Sequence, residues 1–523
     1  MRLHKLIIWA LSLSMIFLAI SSICQAQELT KVEATDILKQ IQNGEDVIIE
    51  NSTITGFLNL DEIDMVESEL TITNSVFEND INFSNTHFKK SISFGNTTFL
   101  GKVYFTNAIF SDDAYFDMVT FNDTAYFERV TFNDIATFDG ATFNADVMFS
   151  FATFNGSADF YEATFNGIAR FFGATFNDDV MLWFATFSDA AYFNMVTFND
   201  YADFTYVTFN DNVEFSTATF NKNAYFSGVT FSGNTKFYRA TFNKKASFYN
   251  ATFHDTADFT QVTFVDTADF RQVTFDEIAI FNMTTFSAAA SFREVIFRDR
   301  ADFYVADFDD DAYFMMTKFD DFANFKSATF SGNVGFGEAT FLNGVDFWGA
   351  TFSGDTYIDI EWSTLKDQLV FDGQTYIRLI NNFRNTERFE DADDAYYQYR
   401  KISQENKKAS FSKLADVFMW IACGYGVKPY RTLIFGGSVV LLFSIIYWRG
   451  DGISRLTENN TDNSRHTSFW DALYFSVVTF TTVGYGDWYP KDRYRICVMI
   501  EGLLGWLILA LFLVTLGKVM IRP

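Results

Sequence analysis

Near its C-terminal end the chain reads TFTTVGYGD, Thr479 to Asp487. Gly484 and Gly486 stand on alternate positions, and glycine takes left-handed backbone without steric penalty. In such a loop the groups that can act are main-chain carbonyls. Two apolar stretches flank it. Thr432–Trp448 is uncharged and stands at the lower limit of length for crossing a bilayer, and the longer Ile496–Gly517 carries Glu501 as its sole charge. Ser468, with Asp471 three positions later, predicts a helix N-cap with an acidic first turn, and an apolar helix over 468–480 leads into the loop. Two spans enclosing a short helix and a Gly-x-Gly loop form a re-entrant pore arrangement. No nucleophile triad, zinc signature or phosphate loop appears, so an enzyme is the weakest reading and no cofactor is expected.

The segment Thr482-Val483-Gly484-Tyr485-Gly486, extended by Asp487, resembles the selectivity filter of potassium channels, here of the type with two transmembrane helices. The resemblance implies that the carbonyls of Thr482, Val483, Gly484 and Tyr485 replace the hydration shell of K⁺, the permeant ion. Gly484 and Gly486 supply the special backbone, the Thr482 hydroxyl lines the inner mouth, Val483 and Tyr485 turn away to brace the loop, and Thr481 and Asp487 support it. Four loops must surround an ion, so a homotetramer is implied. Some family members place a glutamate behind the filter to pair with the aspartate; the matching position here is Val478, so filter rigidity does not carry over. Gly502 and Gly505 are candidate gating hinges, although glycine in membrane helices also serves close packing. Glu501 is costly in lipid and is expected to face protein or water.

The elements upstream are of a different kind. From Phe83 to Phe352, phenylalanine recurs with gaps alternating between six and five. Two interleaved series of period 11 make 50 positions, of which 49 are Phe and one is Leu182. Neither a helical nor a simple strand period fits, and the pattern predicts a solenoid with one large side chain per short unit in a continuous interior column. Asn-Asp pairs after Thr-Phe are expected to turn the chain, using left-handed backbone and bonds to neighbouring amides. Two 11-residue units per coil would give roughly 12 coils and a rod about 60 Å long. The region resembles the pentapeptide-repeat family, a four-sided right-handed β-helix with Phe or Leu inward every five residues; the 5/6 spacing departs from that period and leaves the cross-section open. The fold expected is therefore an N-terminal β-solenoid joined to a C-terminal all-α membrane pore module.

The domain plan follows. Residues 1–26 read as a signal peptide, with Arg2 and Lys5 before the apolar run Leu6–Ile20 and a small-residue cleavage site ending at Ala26; an uncleaved anchor is the alternative. Residues 27–78 form an N-terminal cap region, 79–362 the solenoid, 363–431 a helical linker, and 432–523 the pore domain (span 432–448, pore helix 468–480, filter 481–487, span 496–517). Within the linker, Leu379–Lys413 is expected to form two surface helices, and Leu414–Val427, short and containing Asp416, an interfacial helix. A net charge of −27 excludes a nucleic-acid partner.

Orientation stays open. Five basic residues flank the spans on one side and six on the other, a difference too small to set topology. An exported rod would invert the pore, as in prokaryotic glutamate-receptor-like channels, unless Leu414–Val427 also crosses; without export the rod is cytoplasmic. The expected location is the cell membrane, a prokaryotic inner membrane, with the repeats exported. Six residues follow Gly517 and no Arg-rich voltage-sensing helix appears, which leaves the repeats and linker, with an unknown ligand, as the expected sensor. Two functions are weighed: a K⁺-selective channel, or a membrane-anchored adhesion or scaffold protein with a non-conducting pore.

Overall fold

The computed structural model describes residues 29–353, 356–455 and 466–520. The leader expected over 1–26 lies outside them. The chain divides into two compact units, residues 1–370 and 371–523.

The first unit is a β-solenoid of two-residue and four-residue strands running from Thr30 to Asp359. They assemble into four wholly parallel sheets of 15, 15, 14 and 14 strands. Register advances by two repeat units per coil: Thr98 and Phe99 lie beside Thr120 and Phe121, and Val103 beside Ala125. Two units therefore close one four-faced coil, and the alternating 5/6 spacing is what lets successive corners differ.

Inward positions alternate large and small. In VTFNDTAYF the residues Val119, Phe121, Ala125 and Phe127 are all buried, so each ring has a small neighbour to pack over. Every position of the two series from Phe83 to Phe347, Leu182 included, is 4 % exposed or less. The rings stack coil on coil; Phe248 lies 4.9 Å from Phe226 and 4.8 Å from Phe270, and edge-on to Phe237 and Phe259. Each buried Phe contributes about 1.5–3 kcal/mol by burial, and aromatic pairing adds about 0.5–1.5 kcal/mol.

Two expectations need correction. The rod has about 15 coils, about 70 Å at the spacing of parallel strands, because the coils upstream of Phe77, the first ring of the column and stacked on Phe99, are filled by Leu58, Val66, Leu70 and Ile72 and leave no Phe mark. Sheet structure thus begins at Thr30, inside the segment read as a cap, where α1 (Ala34–Gln42) buries Ala34, Ile37 and Ile41. Nor does the Asn-Asp corner use left-handed backbone. That conformation falls at the opposite corner of each unit, at Met118, Arg129, Phe151 and Glu162 among others. Its cost of about 1–2 kcal/mol is offset because the amide there reaches the next coil, as Met118 N donates to Asp139 O at 2.6 Å. The Asn corners instead form side-chain ladders: Asn144 donates to Asn122 and Asn166 to Asn144 at 2.7 and 2.9 Å.

The second unit is helical: α2 (Gly373–Asn385), α3 (Phe389–Glu405), α4 (Phe411–Cys423), α5 (Pro429–Arg449), α6 (Phe469–Phe480) and α7 (Arg495–Met520). The first two are the pair expected in the linker. Helix α4 ends at Gly424, left-handed at φ 56°. The charge inside its apolar stretch is accounted for: Asp416 pairs with Lys407 and Arg400, and Lys407 above all holds its carboxyl below the usual range. Helices α5 and α7 are long and apolar enough to cross a membrane.

Candidate functional site

The loop Thr481–Asp487 hangs from the end of α6, so the placement of α6 decides its geometry. Ser468 caps that helix as its residue type predicts: its hydroxyl accepts from Asp471 N at 3.2 Å while the Asp471 carboxylate accepts from Ser468 N at 3.3 Å. Helices α5, α6 and α7 enclose a shared core of Val439, Phe443, Tyr447, Ala472, Phe475, Phe480 and Ile508.

The loop leaves α6 in hydrogen-bonded steps. Thr481 Oγ1 donates to Val477 O at 2.7 Å, Thr482 N to Thr479 O and Val483 N to Val478 O, each at 3.1 Å. Gly484 and Gly486 have φ of 59° and 78°, the left-handed backbone expected of them. Thr482 shares that region at φ 58°, which its type did not foretell; a β-branched residue there is strained. Val483 and Tyr485 are 54 % and 71 % exposed in the single chain. Val478, Thr479, Trp488 and Gly502 line a cleft of about 370 Å³ behind the loop. Tyr474 and Asp487 line the same cleft.

Beyond the loop the chain is tied back to the end of α5. Trp488–Pro490 pairs antiparallel with Ile453–Arg455. Lys491 Nζ lies 2.7 Å from an Asp451 carboxylate oxygen, and the other oxygen accepts from Thr467 N at 2.9 Å and Thr467 Oγ1 at 2.7 Å. The Lys491 bond first, then those from Thr467, hold the Asp451 carboxyl well below the usual carboxylate range. Sequence spacing did not point to this clamp, because its members are far apart in the chain.

The two glycines of α7 have different surroundings. Gly505 lies against the backbone of Phe480, and a methyl group there would collide with the Phe480 carbonyl. At Gly502 the nearest atom to such a methyl would be Thr479 O, 4.0 Å away. Glu501 faces protein, as expected, and is fully buried.

Residues 433–522 match the family model described as ion channel. Models of pentapeptide repeats (9 copies) match over 72–117, 105–153, 193–241, 237–282 and 317–359. No curated protein and no solved structure matches the chain.

Proposed function

We propose, from the premise that this chain joins a pentapeptide-repeat solenoid to an ion-channel domain, that it passes K⁺ selectively through a pore lined by four copies of the loop. One observation carries the reading. The TTVGYGD loop follows a capped pore helix between two membrane-length helices, with left-handed glycines at 484 and 486. Alternating left-handed residues let consecutive carbonyls face one side, the arrangement that replaces an ion's hydration shell. The C-terminal dipole of α6 favours a cation near its end. The uncovered side chains of Val483 and Tyr485 support an assembly in which neighbouring copies bury them. The channel works without a catalytic centre or cofactor, K⁺ being cargo, and the solenoid serves as sensor or scaffold.

The test is ion flux in liposomes holding the purified full chain. The reading requires K⁺ to pass much faster than Na⁺, and Gly484→Ala, which puts a side chain on left-handed backbone, to abolish the difference. Equal Na⁺ and K⁺ flux from an assembled protein would refute the selectivity. No flux from an assembled protein would favour a scaffold with a closed pore.

A further inference from the structure

Glu501 is the one acidic residue in the second span, and its carboxyl joins all three elements that carry the loop. Tyr447 of α5 donates its hydroxyl to one carboxyl oxygen at 2.8 Å. The Ser476 hydroxyl of α6 hydrogen-bonds the other oxygen and also the Val440 carbonyl of α5 at 2.9 Å. All three side chains are 0 % exposed. Ser476 lies shortly before Thr482 in the chain, and Gly505, which receives the Phe480 carbonyl, lies one helical turn beyond Glu501 on the same face of α7. Helix α6 is thus held at two levels, by hydrogen bonds at Ser476 and by backbone contact at Phe480.

Packing alone would seat a leucine at 501, since the shared core is mostly apolar and a carboxyl inside a membrane bundle is costly. Ser444, whose hydroxyl donates to the Val440 carbonyl at 2.6 Å, is a further buried polar side chain beside that core. Apolar contacts tolerate a small rotation or slide between helices; a closed hydrogen-bond set does not. We infer that Glu501 is a positioning residue for the filter: with Ser476 and Tyr447 it sets the rotation and depth of α6, and through them the spacing of the Thr482–Tyr485 carbonyls. This rests on the reading of the loop as an ion filter. The donor count indicates what a substitute must do. Ser476 has one hydroxyl proton and two acceptors, so a group at 501 that both accepts from Tyr447 and donates to Ser476 Oγ completes the set. Glutamine can do both, and leucine neither.

The experiment compares the full-length native chain with Glu501→Gln, Glu501→Leu and Tyr447→Phe, purified and reconstituted in liposomes. Oligomeric state and melting temperature are read beside the K⁺-to-Na⁺ flux ratio. Glu501→Leu is expected to assemble and to lose selectivity by about tenfold, the effect of a hydrogen-bond-sized change in relative ion affinity. Tyr447→Phe should lose less, and Glu501→Gln should retain most of the native ratio. A Glu501→Leu chain that assembles with native selectivity overturns the inference. So does failure of both Glu501 variants to assemble, which would make the residue purely structural. A native chain without K⁺ selectivity sinks the filter reading itself and this inference with it, and is told apart by the native arm alone.

Discussion

The two glycines of α7 make opposite predictions on one helix. Alanine at 505 places a methyl 2.8 Å from the Phe480 carbonyl carbon and 2.9 Å from its Cα, and closer still to the oxygen. Ordinary contact begins near 3.4 Å, and a backbone at the end of α6 cannot rotate away as a side chain would. Helix α7 must back off from α6 by several tenths of an ångström, opening contacts of Phe480 and Ile508 in the shared core. Overpacking of this kind costs about 1–3 kcal/mol, against at most about 1 kcal/mol gained by alanine's better helix propensity. Alanine at 502 meets only Thr479 O at 4.0 Å and keeps the propensity gain. The propensity gain is common to both, so the two variants should differ in stability by the overpacking cost, about 1–3 kcal/mol, whatever absolute scale the detergent sets. Melting of the purified protein followed by tryptophan fluorescence or size exclusion measures it, with Gly505→Ala lowest and Gly502→Ala at or above native. A hinge role at 505 without close packing predicts instead a chain of native stability with altered opening. Gly505→Ala melting at or above the native temperature, or Gly502→Ala melting below Gly505→Ala, would refute the packing argument.

Three further outcomes are expected. The Asp451 carboxyl is depressed in the folded chain, so its stabilisation is present above the ordinary carboxylate pKa of about 4 and is lost as pH falls through the folded value. The melting gap between native and Asp451→Asn should shrink between about pH 5 and pH 2, from about 1 kcal/mol or less given the group's exposure; a gap that widens with acid reverses the sign and refutes the clamp. Phe248→Ala removes a ring stacked on Phe226 and Phe270 and should cost about 3–5 kcal/mol, read as a lower melting temperature by circular dichroism. An unchanged transition would deny Phe248 its place in the column. Ser468→Ala breaks the capping box of α6 at about 1 kcal/mol, and Ser468→Asp should restore most of it in the same melt.

Much of the fold was legible because repetition multiplies weak signals. One Phe-Asn-Asp says little, but 49 phenylalanines in two period-11 series specify inward columns, and a coil of two units follows once they must close a circuit. Coils built from Leu, Val and Ile near the N-terminus carry no such mark, and so the sheets reach further upstream than the phenylalanines. The loop was equally legible, since glycine type, flanking apolar lengths and the Ser468–Asp471 spacing are local properties. The conformations of Gly484, Gly486 and the α6 cap follow directly from them.

What tertiary structure alone decided are the relations between residues far apart in the chain. Nothing in the spacing of Tyr447, Ser476 and Glu501 marks them as one hydrogen-bonded set, nor ties Asp451 to Lys491 across the loop. Gly502 and Gly505 are indistinguishable as letters three positions apart, yet one faces a cleft and the other a neighbouring backbone. Local type sets which backbone conformations are cheap. Which side chain meets which is set by the crossing of helices, and that depends on the packing of all three together.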